Sequence, residues 1–228
     1  MTRAILFSFF IFFFITASQA QQFTGAYRSG FKQEGNRFYF NTANGKMIIE
    51  FCTISMFRVR ASWSGKFEEN EAWMVKQYDW PTIAVEKQEN GQSFKLTTKS
   101  LEITIGKNPL TIQVYDRHRK TVASVITGMF ANKDTVGCIN QLGADEHFFG
   151  FGERMDFLDQ RSKQVKLNVG RGKGQPHIVG AYNVLEANYS PIPFFMSTNG
   201  YGIFFHNAYP TNWDMGYSSS DQYKFAAA

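Results

Sequence analysis

The sequence predicts an all-β protein, an antiparallel β-sandwich, and three observations support this prediction. Aromatic residues make up 17% of the 228 residues, with 24 Phe and 10 Tyr, and this composition favours strands. From Asn36 onward, short apolar runs alternate with turn residues, and no long stretch has the periodicity of an amphipathic helix. Many strands at short spacing, without a linker or an internal repeat, favour one sandwich domain over a small closed barrel.

Residues 1–20 have the pattern of a secretory signal peptide. Arg3 gives a positive start, Ile5–Ile15 is almost entirely apolar, and a small-residue cleavage site ends at Ala20. The apolar run is shorter than the roughly 20 residues that span a bilayer, so we expect no stable membrane span. The mature chain is therefore predicted to begin at Gln21 and to be secreted or periplasmic.

Turn dipeptides and alternating runs predict the strands of the first half. Asn44-Gly45 and Asn90-Gly91 each separate two apolar runs, and both dipeptides suit tight hairpins because their residues tolerate positive φ. Leu101–Ile105 and Leu110–Tyr115 alternate apolar and polar residues, which is typical of strands with one buried face. An antiparallel sheet is therefore expected from these segments.

Charge and cysteine content restrict the class of protein. The 24 Lys and Arg residues only slightly exceed the 19 Asp and Glu residues and are spread along the chain, so no nucleic-acid partner is expected. Cys52 and Cys138 would be free to pair in an oxidising compartment. Because Cys52 lies in an apolar run and Cys138 lies near a glycine-rich turn, two buried thiols are equally compatible with the sequence.

The sequence lacks the motifs of several enzyme classes. There is no Gly-x-Ser-x-Gly nucleophile elbow. The histidines have no metal-ligand spacing, so neither a metal site nor a cofactor is predicted from His118, His147, His177 and His206. The loop Gly170–Gly174 resembles a phosphate loop, but Lys173 is not followed by Ser or Thr and no helix is expected after it.

Three features allow both a functional and a structural interpretation. The Gly170–Gly174 loop is either a solvated loop or a basic binding loop, in which Arg171 would hydrogen-bond sugar hydroxyls or an anion. Glu153, Asp156 and Asp159 follow a Gly-Phe-Gly turn; carboxylate pairs serve glycoside hydrolysis, although such residues are more often surface charges or hydrogen-bonded turn residues. The tryptophans suit sugar stacking but are more often core residues: Trp63, Trp73, Trp80 and Trp213.

The segment Phe149-Gly150-Phe151-Gly152-Glu153 resembles the Tyr-Gly-Leu-Gly-Glu type of motif in the N-terminal domain of glycoside hydrolase family 31. The surrounding order is also similar to that domain, from Ile48–Arg60 through Phe94–Asp116 to Tyr189–Asn207. The likeness extends from about Gly35 to the end of the chain. It implies a galactose-mutarotase-like β-sandwich, also called a supersandwich, that precedes a catalytic (β/α)8 barrel.

The resemblance places catalysis outside this chain. In that family two barrel aspartates act by a retaining mechanism, so no catalytic residue is expected here and Glu153 is not given that role. The family also implies a loop that helps to form the sugar subsites; by position it comprises Asn168, Val169, Gly170 and Arg171. Arg171 would donate bidentate hydrogen bonds and Asn168 would be a smaller partner. Many α-glucosidases have Asn-Arg-Asp-Thr at this place, so the sugar, the linkage and the choice between hydrolysis and transglycosylation stay open.

The expected protein is thus the N-terminal domain of an exported α-glycosidase, residues 21–228, that acts on an α-linked oligosaccharide or glycoside. The sequence stops within an expected strand at residues 225–228, so we expect the domain to be C-terminally incomplete, inactive alone and apolar where it meets the barrel. A free-standing secreted carbohydrate-binding β-sandwich is the main alternative. A mutarotase-like epimerase would need a histidine and a carboxylate together, and the best candidates, His177 and Glu186, have no recognisable spacing.

Overall fold

The computed structural model describes residues 21–72, 74–154, 156–168 and 188–228, the last with side chains from residue 190 onward. All regular structure in these ranges is β-strand, which confirms the predicted class. The strands are β1 (Gln22–Phe23), β2 (Tyr27–Glu34), β3 (Arg37–Thr42), β4 (Gly45–Phe51), β5 (Phe57–Ser62), β6 (Glu86–Glu89), β7 (Ser93–Thr97), β8 (Leu101–Lys107), β9 (Leu110–Asp116), β10 (Thr121–Asn132), β11 (Thr135–Gln141), β12 (Phe148–Arg154), β13 (Gln164–Leu167), β14 (Asn188–Ser197), β15 (Gly202–Phe204), β16 (Thr211–Asp214) and β17 (Gln222–Ala227). None of the described ranges contains a helix that would cross a bilayer.

The strands form three antiparallel sheets. The large, ten-stranded sheet has the order β13-β16-β17-β11-β10-β9-β8-β7-β6, with β1 paired to β10. A four-stranded sheet has the order β2-β3-β4-β5, and a three-stranded sheet has the order β12-β14-β15. The two small sheets provide the second layer of the sandwich, because the rings of both contact rings of the large sheet.

The core is one continuous cluster on a single face of the large sheet. At one end, Phe40 of β3 packs edge-on against Phe94 of β7, with ring centroids 5.4 Å apart. At the other end, Phe195 of β14 packs edge-on against Trp213 of β16, with centroids 5.9 Å apart. A register shift in β10 between Ile126 and Gly128 interrupts the alternation of that strand, a feature of β-bulges.

The turn predictions agree with the structure with one shift, but the strand before Asn90-Gly91 is the polar, exposed Glu86–Glu89 rather than an apolar run. Asn90-Gly91 joins β6 to β7, and the Asn90 side chain accepts hydrogen bonds from the backbone of the following residues. The turn between β3 and β4 is Ala43-Asn44, one residue earlier than the sequence indicates, and Gly45 is the first residue of β4. A Cβ on Gly45 would lie 2.1 Å from the carbonyl oxygen of Ser62, so this glycine allows the close approach of β5.

Both cysteines are free and buried, which settles the alternative that the sequence left open. Cys52 follows β4 in the four-stranded sheet, whereas Cys138 lies in β11 of the large sheet. Burial, reinforced by Glu50, raises the pKa of Cys52 to about 11. Burial raises the pKa of Cys138 to about 12, so both residues are thiols rather than thiolates at neutral pH.

Candidate functional site

The Gly-Phe-Gly motif is a packing element that joins β12 to β14. Its residues have positive φ angles of 140°, 69° and 85° at Gly150, Phe151 and Gly152. A Cβ on Gly152 would lie 1.9 Å from the carbonyl oxygen of Ser190, so β14 leaves no room for a side chain there. The fully buried Phe151 packs against Trp213, with centroids 5.1 Å apart. The motif therefore anchors the three-stranded sheet to the core.

The carboxylates after this motif have local partners. Asp156 accepts hydrogen bonds from the Arg154 guanidinium. Asp159 lies 2.6 Å from Nδ1 of His147 and also accepts a backbone hydrogen bond from Arg161. These contacts support the interpretation of both aspartates as hydrogen-bonded turn residues.

The predicted substrate loop begins at the edge of the large sheet. Val165 and Leu167 of β13 are buried, and the strand delivers Asn168 to the surface, where it is exposed. The other three residues of the predicted site, Val169, Gly170 and Arg171, lie outside the described residues. The same holds for the epimerase candidates His177 and Glu186 and for the predicted signal peptide, residues 1–20.

No motif in the sequence indicates the buried carboxylate of Glu146, a residue that is 2% exposed. Tyr201 donates a hydrogen bond to Glu146 Oε1 at 2.6 Å, and the Ser197 hydroxyl donates to the same oxygen. The backbone N–H of Gly143 donates to Oε2 at 3.0 Å. Burial removes the hydrogen bonds that a carboxylate makes with water, and these protein donors replace them.

The network continues into the large sheet through Tyr223. Its hydroxyl lies 2.9 Å from the Tyr201 hydroxyl, and because Tyr201 donates to Glu146, Tyr223 is the donor to Tyr201. Burial and the nearby Glu146 raise the pKa of Tyr201 far above its usual range, and burial does the same for Tyr223. Both tyrosines therefore remain protonated, and the chain of hydrogen bonds links Tyr201, directly before β15, to β17.

A second polar cluster lines an open cleft of about 170 Å³ between the segment after β5 and the segment after β15. His206 Nε2 contacts Glu71, and Arg58 lies 3.4 Å from His206 Nδ1. Because a guanidinium only donates, Nδ1 accepts and the proton is on Nε2. Tyr78 donates to Glu71 Oε1 at 3.1 Å. Burial is the main cause of the raised pKa of Tyr78, and this hydrogen bond is the second.

Two clefts of the described residues differ in size and in the carboxylates that line them: Glu69 and Glu71 line the first, and Glu86 lines the second. The 170 Å³ cleft is smaller than the roughly 300–1,000 Å³ of typical ligand sites. Two of its lining residues, His206 and Glu71, are hydrogen-bonded to each other. A groove of about 410 Å³ is lined by one carboxylate, Glu86, together with Lys99 and Arg117, rather than by a carboxylate pair. Within the described ranges, no group of three His, Cys, Asp or Glu side chains is arranged to hold a metal ion.

The family is decided by a match over most of the chain. Residues 46–214 match the model of the glycosyl hydrolase 31 N-terminal galactose mutarotase-like domain. The chain belongs to this family. The matched range contains the Gly-Phe-Gly motif and the predicted substrate loop, and the sandwich described above is the fold that the family name implies.

Two curated relatives of this GH31 N-terminal domain are much longer than the chain. The chain is 28% identical over 197 residues to alpha-glucosidase 2 of Bacillus thermoamyloliquefaciens. This match covers 83% of the chain and 24% of that enzyme. The chain is 26% identical over 145 residues to the isomaltosyltransferase of Sporosarcina globispora, covering 58% of the chain and 12% of that protein.

Solved structures agree with the fold. The GH31 dextranase of Flavobacterium johnsoniae, solved with isomaltotriose and with glucose, is 30% identical with a TM-score of 0.79; the match covers 90% of this chain and 25% of that one. A GH31 α-xylosidase from a soil metagenome has the same fold at 14% identity, with a TM-score of 0.65, and covers 88% of this chain and 32% of its own. The chain thus spans about a quarter of the length of the Bacillus alpha-glucosidase and of the Flavobacterium dextranase.

Proposed function

We propose that this chain is the N-terminal domain of an exported, retaining α-glycosidase, in which it supports a (β/α)8 catalytic barrel and supplies a loop to the substrate site. The observation that carries the proposal is the match to the GH31 dextranase, at 30% identity over 90% of the chain. That enzyme was solved with isomaltotriose, and the two curated relatives are named as an alpha-glucosidase and an isomaltosyltransferase. An α-linked gluco-oligosaccharide is therefore the proposed substrate class.

The proposed chemistry belongs to the rest of the polypeptide. In a retaining mechanism, a carboxylate attacks the anomeric carbon while an acid protonates the departing glycosidic oxygen, and water then releases the sugar from the enzyme. Of the carboxylates in this domain, Glu146 is buried under its hydrogen-bond donors and Asp156 is paired with Arg154. Their positions support a structural role, and the domain alone is proposed to be inactive.

The proposed contribution to the substrate site is the loop that begins at Asn168. Asn168 is exposed directly after β13, and Val169, Gly170 and Arg171 are proposed to complete the loop that contacts the sugar. Arg171 would bind adjacent hydroxyls through two parallel N–H donors, a geometry that lysine does not reproduce. Export is proposed from the signal-peptide pattern of residues 1–20.

The experiment that tests this function begins with the reading frame past Ala228 and the intact mass of the secreted product. The purified product is then assayed on isomaltotriose, maltotriose and an aryl α-xyloside, and NMR follows the anomer that is released first. We expect a product several times heavier than 26.1 kDa that begins at Gln21 and releases the α-anomer. Release of the β-anomer would contradict the retaining mechanism.

A product that ends at Ala228, binds an oligosaccharide and hydrolyses nothing would replace the proposal by the carbohydrate-binding alternative. A titration of the same oligosaccharides, followed by tryptophan fluorescence, distinguishes the two because an accessory domain without its barrel has only part of the site.

A further inference from the structure

The outer face of the three-stranded sheet differs from the outer positions of β8 and β9 in the large sheet. Ile192, Phe194 and Met196 alternate along β14 on the side away from the core, and they are 47%, 36% and 54% exposed. Phe204 of β15 lies directly opposite Phe194 and is 41% exposed. We call these four side chains the apolar strip. By contrast, the outer positions of β8 and β9 in the large sheet carry polar residues: Glu102, Thr104, Thr111 and Gln113.

The ring of Phe194 in the apolar strip lies over a glycine of β15. A Cβ on Gly202 would lie 2.8 Å from the ring of Phe194, so the ring occupies the space of the missing side chain. Phe195, between two strip residues, is fully buried on the other face. Strand β14 is therefore apolar on both faces, a pattern typical of strands that are covered on both sides.

One end of the strip continues into the polar cluster of the cleft. The ring of Phe204 stacks on His206 at 5.6 Å, and His206 stacks on Tyr78 at 6.3 Å. The Arg58 guanidinium lies over the Tyr78 ring, 5.3 Å from its centroid. An apolar centre with a polar, hydrogen-bonded rim is the usual composition of a specific protein interface.

We propose that the apolar strip is the surface on which the catalytic domain of the same polypeptide docks. The proposal rests on the proposed function and names the contact surface. The relatives at higher identity have about three quarters of their length outside the matched region, which provides the partner.

The test measures thiol alkylation of the parent polypeptide with N-ethylmaleimide at pH 7. Met196→Cys and Phe204→Cys report on the strip, and Gln113→Cys, at an exposed position of the large sheet, is the matched control. Cys52 and Cys138 are buried thiols of raised pKa, so their slow reaction in the unsubstituted protein is the background. The rate in the folded protein is compared with the rate of the same variant in urea.

We expect folding to slow alkylation at least about tenfold more in Met196→Cys and Phe204→Cys than in Gln113→Cys, because burial excludes the reagent. Equal slowing at all three positions overturns the docking surface. Protection of the strip that disappears on dilution shows a second copy on this face, which also overturns it. Protection that is lost when residues 172–185 are replaced by a Gly-Ser linker shows that this segment covers the strip, with the same consequence.

The glycosidase assay on the same preparations separates the two proposals. If the parent polypeptide hydrolyses the α-glucoside while the strip cysteines react without protection, the proposed function stands and the proposed docking surface is wrong. A protected strip in a parent without glycosidase activity retains the docking surface and removes the function. A natural product that ends at Ala228 overturns both.

Discussion

Single residues determine how closely the sheets approach each other. At Gly152 both the backbone angle and the neighbouring strand exclude a side chain, because φ is 85° and a Cβ would meet the Ser190 carbonyl at 1.9 Å. Gly35 also has a positive φ, 55°, but no atom lies within 4 Å of its Cβ position. The two glycines therefore separate the effect of backbone conformation from that of crowding.

We expect Gly152→Ala to destabilise the fold by more than about 2 kcal/mol, since both strain and a backbone clash oppose it. Gly35→Ala is the control and should cost about 1 kcal/mol from its left-handed backbone alone. Urea unfolding followed by tryptophan fluorescence measures both. Equal effects of the two substitutions would show that β14 does not restrict Gly152.

The carboxylate of Asp214 should make stability depend on acid pH. Burial opposes its ionisation, but Ser218, the backbone N–H of Tyr217 and the charge of Lys224 outweigh burial and lower its pKa. Because the folded-state pKa lies below the unfolded value of about 3.9, its stabilising contribution is present above about pH 4. It is lost as the pH falls through the folded-state pKa.

Urea midpoints between pH 7 and pH 2.5 measure this dependence on wild type and on Asp214→Asn. The asparagine variant should be less stable at neutral pH, and the difference in midpoint should shrink below about pH 4 as the carboxylate is protonated. A difference that stays constant down to pH 2.5 would argue against a stabilising charge at this position.

The proposed substrate loop supplies the functional prediction at this scale. In the proposed parent glycosidase, Arg171→Ala should lower kcat/KM by about 10- to 100-fold, the equivalent of a lost charge-assisted hydrogen bond of about 1.5–3 kcal/mol. Lys173→Ala, in the same basic loop, is the matched control and should change kcat/KM less than threefold. Steady-state kinetics on isomaltotriose measure both variants. An unchanged kcat/KM in Arg171→Ala would favour the interpretation of this segment as a solvated loop.

At the scale of elements, β15 and β17 belong to different sheets, and hydrogen bonds with Glu146 and Tyr223 join Tyr201, directly before β15, to β17. Tyr201 is the central member, because it donates to the carboxylate and accepts from Tyr223. Loss of its hydroxyl leaves one buried donor and one buried acceptor without that partner, whereas loss of the Tyr223 hydroxyl removes a single neutral hydrogen bond.

We therefore expect Tyr201→Phe to lower the free energy of unfolding by about 2–3 kcal/mol and Tyr223→Phe by about 1 kcal/mol. Chemical denaturation measures both variants and the double variant. If Tyr223→Phe were the more damaging of the two, the assigned direction of the hydrogen bonds would be wrong. Strict additivity in the double variant would show that the two hydroxyls are not coupled.

At the scale of the whole molecule, the outer positions of β8 and β9 are polar, whereas those of β14 and β15 form the apolar strip. Residues 21–228 produced alone should self-associate, because Ile192, Phe194, Met196 and Phe204 have no cover from the rest of the enzyme. Met196→Lys should shift the chain toward monomer, while Gln113→Lys should leave association unchanged. Sedimentation velocity measures the distribution, and a monomeric wild-type chain at high concentration contradicts the prediction.

The sequence predicted several elements because their signals are local. Strands β8 and β9 follow from the alternation in Leu101–Ile105 and Leu110–Tyr115, and the second hairpin follows from Asn90-Gly91. The turn at Ala43-Asn44 was placed one residue late, because Asn44-Gly45 suits a hairpin turn while the structure uses Gly45 for a close contact with Ser62. The local signal therefore identified Gly45 as a special position, but the contact with Ser62 that requires a glycine there is not visible in the local sequence.

The polar clusters were outside the reach of sequence reasoning. Glu146 and Tyr201 are separated by 55 residues, and Glu71 and His206 by 135, without a motif that links them. Their contacts depend on which strands become neighbours, and strand order is not encoded by the alternation within any single strand. The free state of Cys52 and Cys138 was undecided for the same reason, since it depends on the sheets to which they belong.

The sequence by itself determined the all-β class, several strand positions and, through the Gly-Phe-Gly-Glu segment, the family of the domain. These depend on backbone preferences and side-chain alternation over a few residues. Only the tertiary structure decided the division into three sheets, the burial of Glu146 and the apolar strip on β14 and β15. Each of these depends on which distant strands pack together, and that choice is made by the burial of the whole apolar surface.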